Sequence, residues 1–75
     1  MSLFIEQMHA LDRRRKDARI SSDELARECG LSNTTLSRWR HGKQQPTVDQ
    51  WLIVAGKLDA LIDRRAEFLR QIRAL

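Results

Sequence analysis

Apolar residues recur along this chain at helical spacing. Phe4, Met8, Leu11 and Ala18 follow at intervals of four, three and seven, which puts them on one face of a helix from about Leu3 to Ala18. Ser21, with Glu24 three residues later, has the form of a capping box and opens a second helix, Ser22 to Cys29, whose apolar side is Leu25, Ala26 and Cys29. Ser32 caps a third helix that runs through Arg40 to a stop at Gly42. After Pro46, Thr47 and Gln50 form a second capping box; Trp51, Leu52, Val54, Ala55 and Leu58 are the buried candidates of the helix that follows. A fifth helix runs from about Ala60 to the C-terminus, either continuous with the fourth or bent near Lys57 to Asp59. Alternating runs of β-branched and aromatic residues are absent, so no strand is predicted. The expected architecture is all-α: one domain over residues 1–75, a compact bundle of about five helices.

Composition narrows the possibilities. A domain of 75 residues buries a modest share of its surface and needs good helix packing or a partner to be stable. The single cysteine, Cys29, allows no internal disulfide and reads as a small buried apolar residue. Cys29, His9 and His41 are not closely paired, so no metal site is expected, and no cofactor. The charged run Asp12-Arg13-Arg14-Arg15-Lys16-Asp17 reads as a solvated helix face, with phosphate contact as the sharper alternative. The net charge of +4 suits a nucleic-acid partner without specifying one. Leu3, Phe4 and Ile5 are too few for a signal peptide, and no apolar run spans a bilayer. These features predict a cytoplasmic protein with no membrane partner.

Residues 21–42 carry the most specific pattern. Ala26 is small enough to admit a close neighbouring helix, and Gly30 supplies the positive backbone angle that ends helix two. Leu31 is apolar in a turn, which is consistent with plugging the core between two helices. Ser32 caps the next helix and Leu36 falls on its inward face. This is the logic of a helix-turn-helix, in which the second helix is presented to a DNA groove. Over residues 20–58 the chain resembles the lambda-repressor-like (Cro/C1, XRE-type) helix-turn-helix domain. The resemblance rests on Ile20-Ser21, Leu25-Ala26, Gly30-Leu31-Ser32, Thr35-Leu36-Ser37-Arg38-Trp39, Gly42-Lys43, Pro46-Thr47 and the apolar pattern to Leu58. It implies operator binding, usually as a two-fold dimer, and transcriptional regulation in bacteria and phages.

Three positions depart from the family pattern. Ser22 stands where a phosphate-touching Gln is common. Arg40 stands where the family often has a Glu paired to an Arg of helix one, and Arg15 occupies the partner's place; that ion pair is expected to be missing, leaving Arg40 free to face DNA. Arg14 replaces a commonly apolar residue, so helix one is expected to pack differently.

Leu36 and Trp39 share core spacing with Leu31, which points Asn33, Thr34, Ser37 and Arg38 outward, with Thr35 intermediate. These five are the candidate base contacts: Asn pairs with adenine through both amide groups, Arg with guanine, and a Thr methyl packs on thymine. Ser22, Ser32, Arg40, His41, Lys43, Gln44 and Gln45 are the candidate backbone contacts, which fix orientation without reading sequence. Trp39 reads as core.

On the C-terminal helix, Leu58, Leu61, Phe68, Ile72 and Leu75 approach a three-four alternation broken by Arg65 and widened by Ile62 and Leu69. A domain of this size cannot bury them all, so Phe68, Leu69, Ile72 and Leu75 are the expected dimer seam. The partners are then double-stranded operator DNA, in the form of an inverted repeat, and a second copy of the chain. No nucleotide loop, paired carboxylates or nucleophile-histidine arrangement suggests an enzyme or a small-molecule substrate. The rival reading is a protein-interaction module, such as an antitoxin or phage accessory factor binding through the C-terminal helix; a fragment of a larger regulator or transposase is a third.

Overall fold

The computed structural model describes residues 3–75. They form four helices, α1 (Leu3–Asp17), α2 (Ser22–Cys29), α3 (Asn33–Arg40) and α4 (Val48–Arg73), with no strand among the described residues. The first three end in the same way. Arg19 (φ 61°), Gly30 (φ 69°) and Gly42 (φ 71°) each adopt the left-handed conformation. The N–H of the following residue then reaches back over the last turn: Ile20 to the Arg15 carbonyl at 3.1 Å, Leu31 to Ala26 at 2.9 Å, and Lys43 to Arg38 at 2.8 Å. These are Schellman caps, in which orphan carbonyls at a helix end are satisfied; in the first two the residue after the left-handed one turns inward, whereas Lys43 stays exposed. Ile20 is buried and Leu31 half-buried against the core. Arg19 pays a steric cost that glycine would not; it lacks the glycine signature by which the other two caps are recognised in sequence.

The starts follow the caps. Ser21, Ser32 and Thr47 accept from the backbone N–H groups of Glu24, Thr35 and Gln50 at 3.0, 3.1 and 3.1 Å. At Thr47 the box is reciprocal, since Gln50 Oε1 accepts from the Thr47 N–H at 2.8 Å. At Ser21 only half of the expected box forms, because the Glu24 carboxylate accepts instead from Arg65 on α4, with both oxygens 3.1 Å from Nη2.

Of the two alternatives for the fourth and fifth helices, the continuous one holds. α4 continues unbroken through Lys57–Asp59 for 26 residues, about 39 Å at 1.5 Å per residue. No proline interrupts it, and Val54 and Leu61 keep the same face buried on either side of Lys57–Asp59, with Leu58 buried between them. Among its apolar candidates, Val54 and Leu58 are buried and Trp51 and Ala55 half-buried, but Leu52 is exposed. The inward stripe runs 51, 54, 55, 58, 61, 62, and Leu52 lies about a quarter-turn off it.

Met8, Leu11, Ile20, Leu25, Ala26, Leu36, Trp39, Val54, Leu58 and Leu61 form the core. At one end Phe4 meets Trp51 edge-on, ring centroids 5.4 Å apart, and Ile5 lies against Gly42, where a β-carbon would come within 3.1 Å of its Cδ1. Helix α2 packs on α4, α1 on α3, and α3 on α2. Beyond Arg65, α4 leaves this body, and residues 66–75 are all exposed.

Candidate nucleic-acid interface

Helix α3 is held by its inner face. Leu36 and Trp39, three residues apart, are both fully buried, so the residues between and around them must face out. Asn33, Thr34 and Arg38 are exposed; Ser37 and Thr35 are half-buried. Thr35 is engaged locally, its Oγ1 3.0 Å from the Ser32 cap hydroxyl. Ser37 lies beside His41, whose Nδ1 is 2.8 Å from the Ser37 carbonyl oxygen. Arg38 has no carboxylate partner among the described residues.

The electrostatics of this segment are one-sided. No Asp or Glu occurs between Glu28 and Asp49, while Arg38, Arg40 and Lys43 fall within that stretch. The first turn of α3 carries no acid, so the positive end of its dipole is not neutralised from its own helix. Ser32, His41, Lys43, Gln44 and Gln45 are exposed around this helix and the loop after it. The arrangement is a short polar helix with free hydrogen-bonding groups, flanked by cations, which suits the edges of bases and the phosphates on either side.

Arg40 departs from its expected freedom. Its Nε donates to Asp12 Oδ2 at 2.6 Å and its Nη2 to Asp12 Oδ1 at 3.2 Å. An ion pair between α1 and α3 is therefore present, made by Asp12 rather than by the residue at the place of Arg15. Nη2 also donates to Ser22 Oγ at 3.2 Å, and Ser22 Oγ donates to Asn33 Oδ1 at 2.7 Å. Ser22 and Asn33, proposed for separate roles, are thus hydrogen-bonded to each other.

Asp12 and Arg15 also correct the reading of the charged run as a solvated face, because both are buried. Arg15 Nε donates to Asp12 Oδ1 at 3.2 Å and its Nη1 to the Ile20 carbonyl at 2.9 Å, bracing the turn into α2. Burial pushes the Asp12 carboxyl up, but the hydrogen bonds and charges of Arg40, then Arg15, outweigh it and hold the group below its usual value. Helical spacing contained the signal: Asp12 and Arg15 continue the stripe of Met8 and Leu11 at i+4 and i+7. Arg14, by contrast, is exposed and pairs with Asp59 of α4.

On the far part of α4 the residues assigned to a dimer seam are exposed, Phe68 at 57% and Ile72 at 48%, together with Leu69 and Leu75. Arg65, which appeared only to break the apolar stripe, is a clamp: besides Glu24 it donates to the Arg19 carbonyl at 3.0 Å. Cys29 is half-buried, and burial, against Lys57, raises its thiol pKa. Among the described residues no group of three or more His, Cys, Asp or Glu is placed to hold a metal ion, and no helix is long and apolar enough to cross a membrane.

No curated protein and no solved structure matches this chain. Residues 11–62 match the family profile described as helix-turn-helix. That span begins in α1, one residue before Asp12, takes in α2, α3 and the turn between them, and closes on α4 at Ile62, where the core also ends. With more than half of its length in that match and α3 turned outward on a braced scaffold, the chain belongs to the Cro/C1-type (XRE) helix-turn-helix family of DNA-binding transcription regulators.

Proposed function

We propose that this regulator reads operator DNA sequence-specifically with α3 in the major groove and acts as a repressor by occupying its site. The observation that carries the reading is the division of α3: Leu36 and Trp39 are anchored in the core while Asn33, Thr34 and Arg38 stand exposed on a segment without carboxylates. In this reading Asn33, Thr34 and Arg38 contact bases, with Ser37 and Thr35 at the margin. Ser32, His41, Lys43, Gln44 and Gln45 hold phosphates, and Ser22 and Arg40 serve the interface from behind. One short helix spans few base pairs, so selectivity requires a second copy and an inverted repeat with half-sites about one helical turn, roughly 34 Å, apart. Phe68, Leu69, Ile72 and Leu75 are the surface assigned to that self-association. The protein acts in the cytoplasm, bound to the nucleoid, and is not an enzyme.

Fluorescence anisotropy on random-sequence DNA across a salt series, followed by selection from random oligonucleotides, tests the reading. Affinity falling steeply with salt and a selected palindromic motif are the expected results. A second reading, a protein-interaction module of the antitoxin or phage accessory type, is favoured by the exposure of the distal apolar face of α4. Salt-insensitive, negligible DNA binding supports that reading instead.

A further inference from the structure

Four side chains from three helices form a directed chain of hydrogen bonds that ends at the DNA-facing surface. Asp12 on α1 holds Arg40 on α3 through two of its guanidinium nitrogens, 2.6 and 3.2 Å apart from the carboxylate oxygens. Arg40 Nη2 reaches Ser22 Oγ on α2 at 3.2 Å, and Ser22 Oγ lies 2.7 Å from Asn33 Oδ1, back on α3. The chain begins in the interior, where Asp12 is 6% exposed, and ends on an exposed residue at the first turn of α3.

Its direction is set by chemistry. A guanidinium only donates hydrogen bonds, so Ser22 Oγ accepts from Arg40. A serine hydroxyl has one hydrogen, and with Arg40 on one side that hydrogen is directed at Asn33. Were the Asn33 amide turned the other way, Ser22 would face two donors and its own hydrogen would lose its acceptor. The order Arg40 to Ser22 to Asn33 Oδ1 therefore leaves Asn33 Nδ2, a donor, as the group not engaged by the protein. The carboxylate of Asp12 fixes Arg40 in turn, since Arg40 is held on two sides rather than free to swing into the groove.

We infer that Arg40 is a specificity-positioning residue: acting through Ser22, it fixes the orientation of Asn33 so that Asn33 presents an N–H donor to the DNA. The inference rests on the proposed reading of α3 as the base-contacting helix. It changes what Asn33 selects. A freely turning Asn uses both amide groups and pairs with adenine; one whose oxygen is held by Ser22 favours an acceptor at the base edge, such as a purine N7, guanine O6 or thymine O4, and disfavours cytosine, which offers the N4 donor there.

The test is sequence selection from random oligonucleotides by the full chain and its variants. Asn33→Ala identifies the motif column that Asn33 reads. Wild type is expected to exclude cytosine from that column by at least tenfold, and Ser22→Ala and Arg40→Met to relax that exclusion to about threefold or less while the other columns keep their preferences. The double variant is expected to add nothing beyond either single change, as members of one chain. Ser22→Ala removes no ion pair, so it keeps the hydrogen-bond chain open to contradiction at its Asn33 end even where Arg40→Met fails to fold. A wild-type motif whose Asn33 column stays unchanged in Ser22→Ala, or a wild type that prefers cytosine there, overturns the positioning role while leaving the DNA-reading role intact. A wild type that enriches no sequence overturns both.

Discussion

Asp12 and Arg40, 28 residues apart in sequence, join the first and third helices through two hydrogen bonds of 2.6 and 3.2 Å. The Asp12 side chain is 9% exposed and that of Arg40 27%, so the pair sits at the boundary between core and surface. Arg15 shares the same carboxylate and braces the α1–α2 turn. One buried carboxylate thus ties α3 to α1 and, through Arg15, to the turn into α2.

Removing that carboxylate leaves two arginines without their shared partner. Asp12→Ala is expected to cost about 3–5 kcal/mol, the range for breaking a buried pair from one side, nearer the lower end because Arg40 can turn to solvent. Arg40→Met is expected to cost less, since Arg15 still compensates Asp12. Denaturant titrations check the order; an Asp12→Ala variant as stable as wild type contradicts it.

The same site gives a pH dependence with a definite sign. The folded Asp12 pKa lies below its ordinary value, so the unfolded chain binds the proton more readily. Its stabilisation is fully present above the unfolded pKa of about 3.8 and is lost as pH falls through the lower folded value. Melting temperature measured between pH 5 and 2 is expected to fall more steeply in wild type than in Asp12→Asn. Parallel curves contradict the assignment.

Arg19 and Gly30 occupy equivalent left-handed caps but only one is glycine. Gly30→Ala is expected to destabilise by about 1–2 kcal/mol, the cost of a β-carbon in that conformation. Arg19→Gly is expected to be neutral or to stabilise by up to about 1 kcal/mol, the relief of strain being partly offset by glycine's entropy. Thermal melts of the two variants decide; equal and opposite behaviour to this contradicts the cap assignment.

How far these features were legible in the sequence depends on their range. Ser21, Ser32 and Thr47 announced their helices because capping is local, and Gly30 and Gly42 announced two of the three turns. Arg19 did not, since its left-handed conformation is stabilised by backbone bonds and by Arg65, 46 residues away. The inward face of α3 followed from Leu36 and Trp39, and with it the exposure of Asn33, Thr34 and Arg38; Ser37, expected to point outward with them, is half-buried beside His41. The Asp12–Arg40 pair was hidden because reading the charged run as solvated overlooked that Asp12 and Arg15 continue the stripe of Met8 and Leu11. Whether the fourth and fifth helices are continuous or bent at Lys57–Asp59 stayed open in the sequence, because Lys57 and Asp59 are polar but Leu58 keeps the apolar register and no residue there breaks a helix.

The distal face of α4 makes a distinct prediction. Ile72 is half exposed in the single chain, so Ile72→Asp is expected to leave the fold and melting curve nearly unchanged while abolishing self-association. Analytical ultracentrifugation beside a melting curve separates the outcomes. A wild type that stays monomeric at high micromolar concentration and on its selected DNA contradicts the dimer.

The central claim is that the exposed face of α3 reads sequence while the loop behind it grips phosphate. The most direct measurement is anisotropy at one fixed salt concentration, comparing the selected oligonucleotide with a scrambled one for wild type, Arg38→Ala and Lys43→Ala. Wild type is expected to prefer the selected sequence by about 10³-fold or more. Arg38→Ala should lose about 1–3 kcal/mol on the selected DNA and shrink that ratio, whereas Lys43→Ala should weaken both DNAs alike and preserve it. If both variants change the two affinities in the same proportion, α3 does not read bases in the way described.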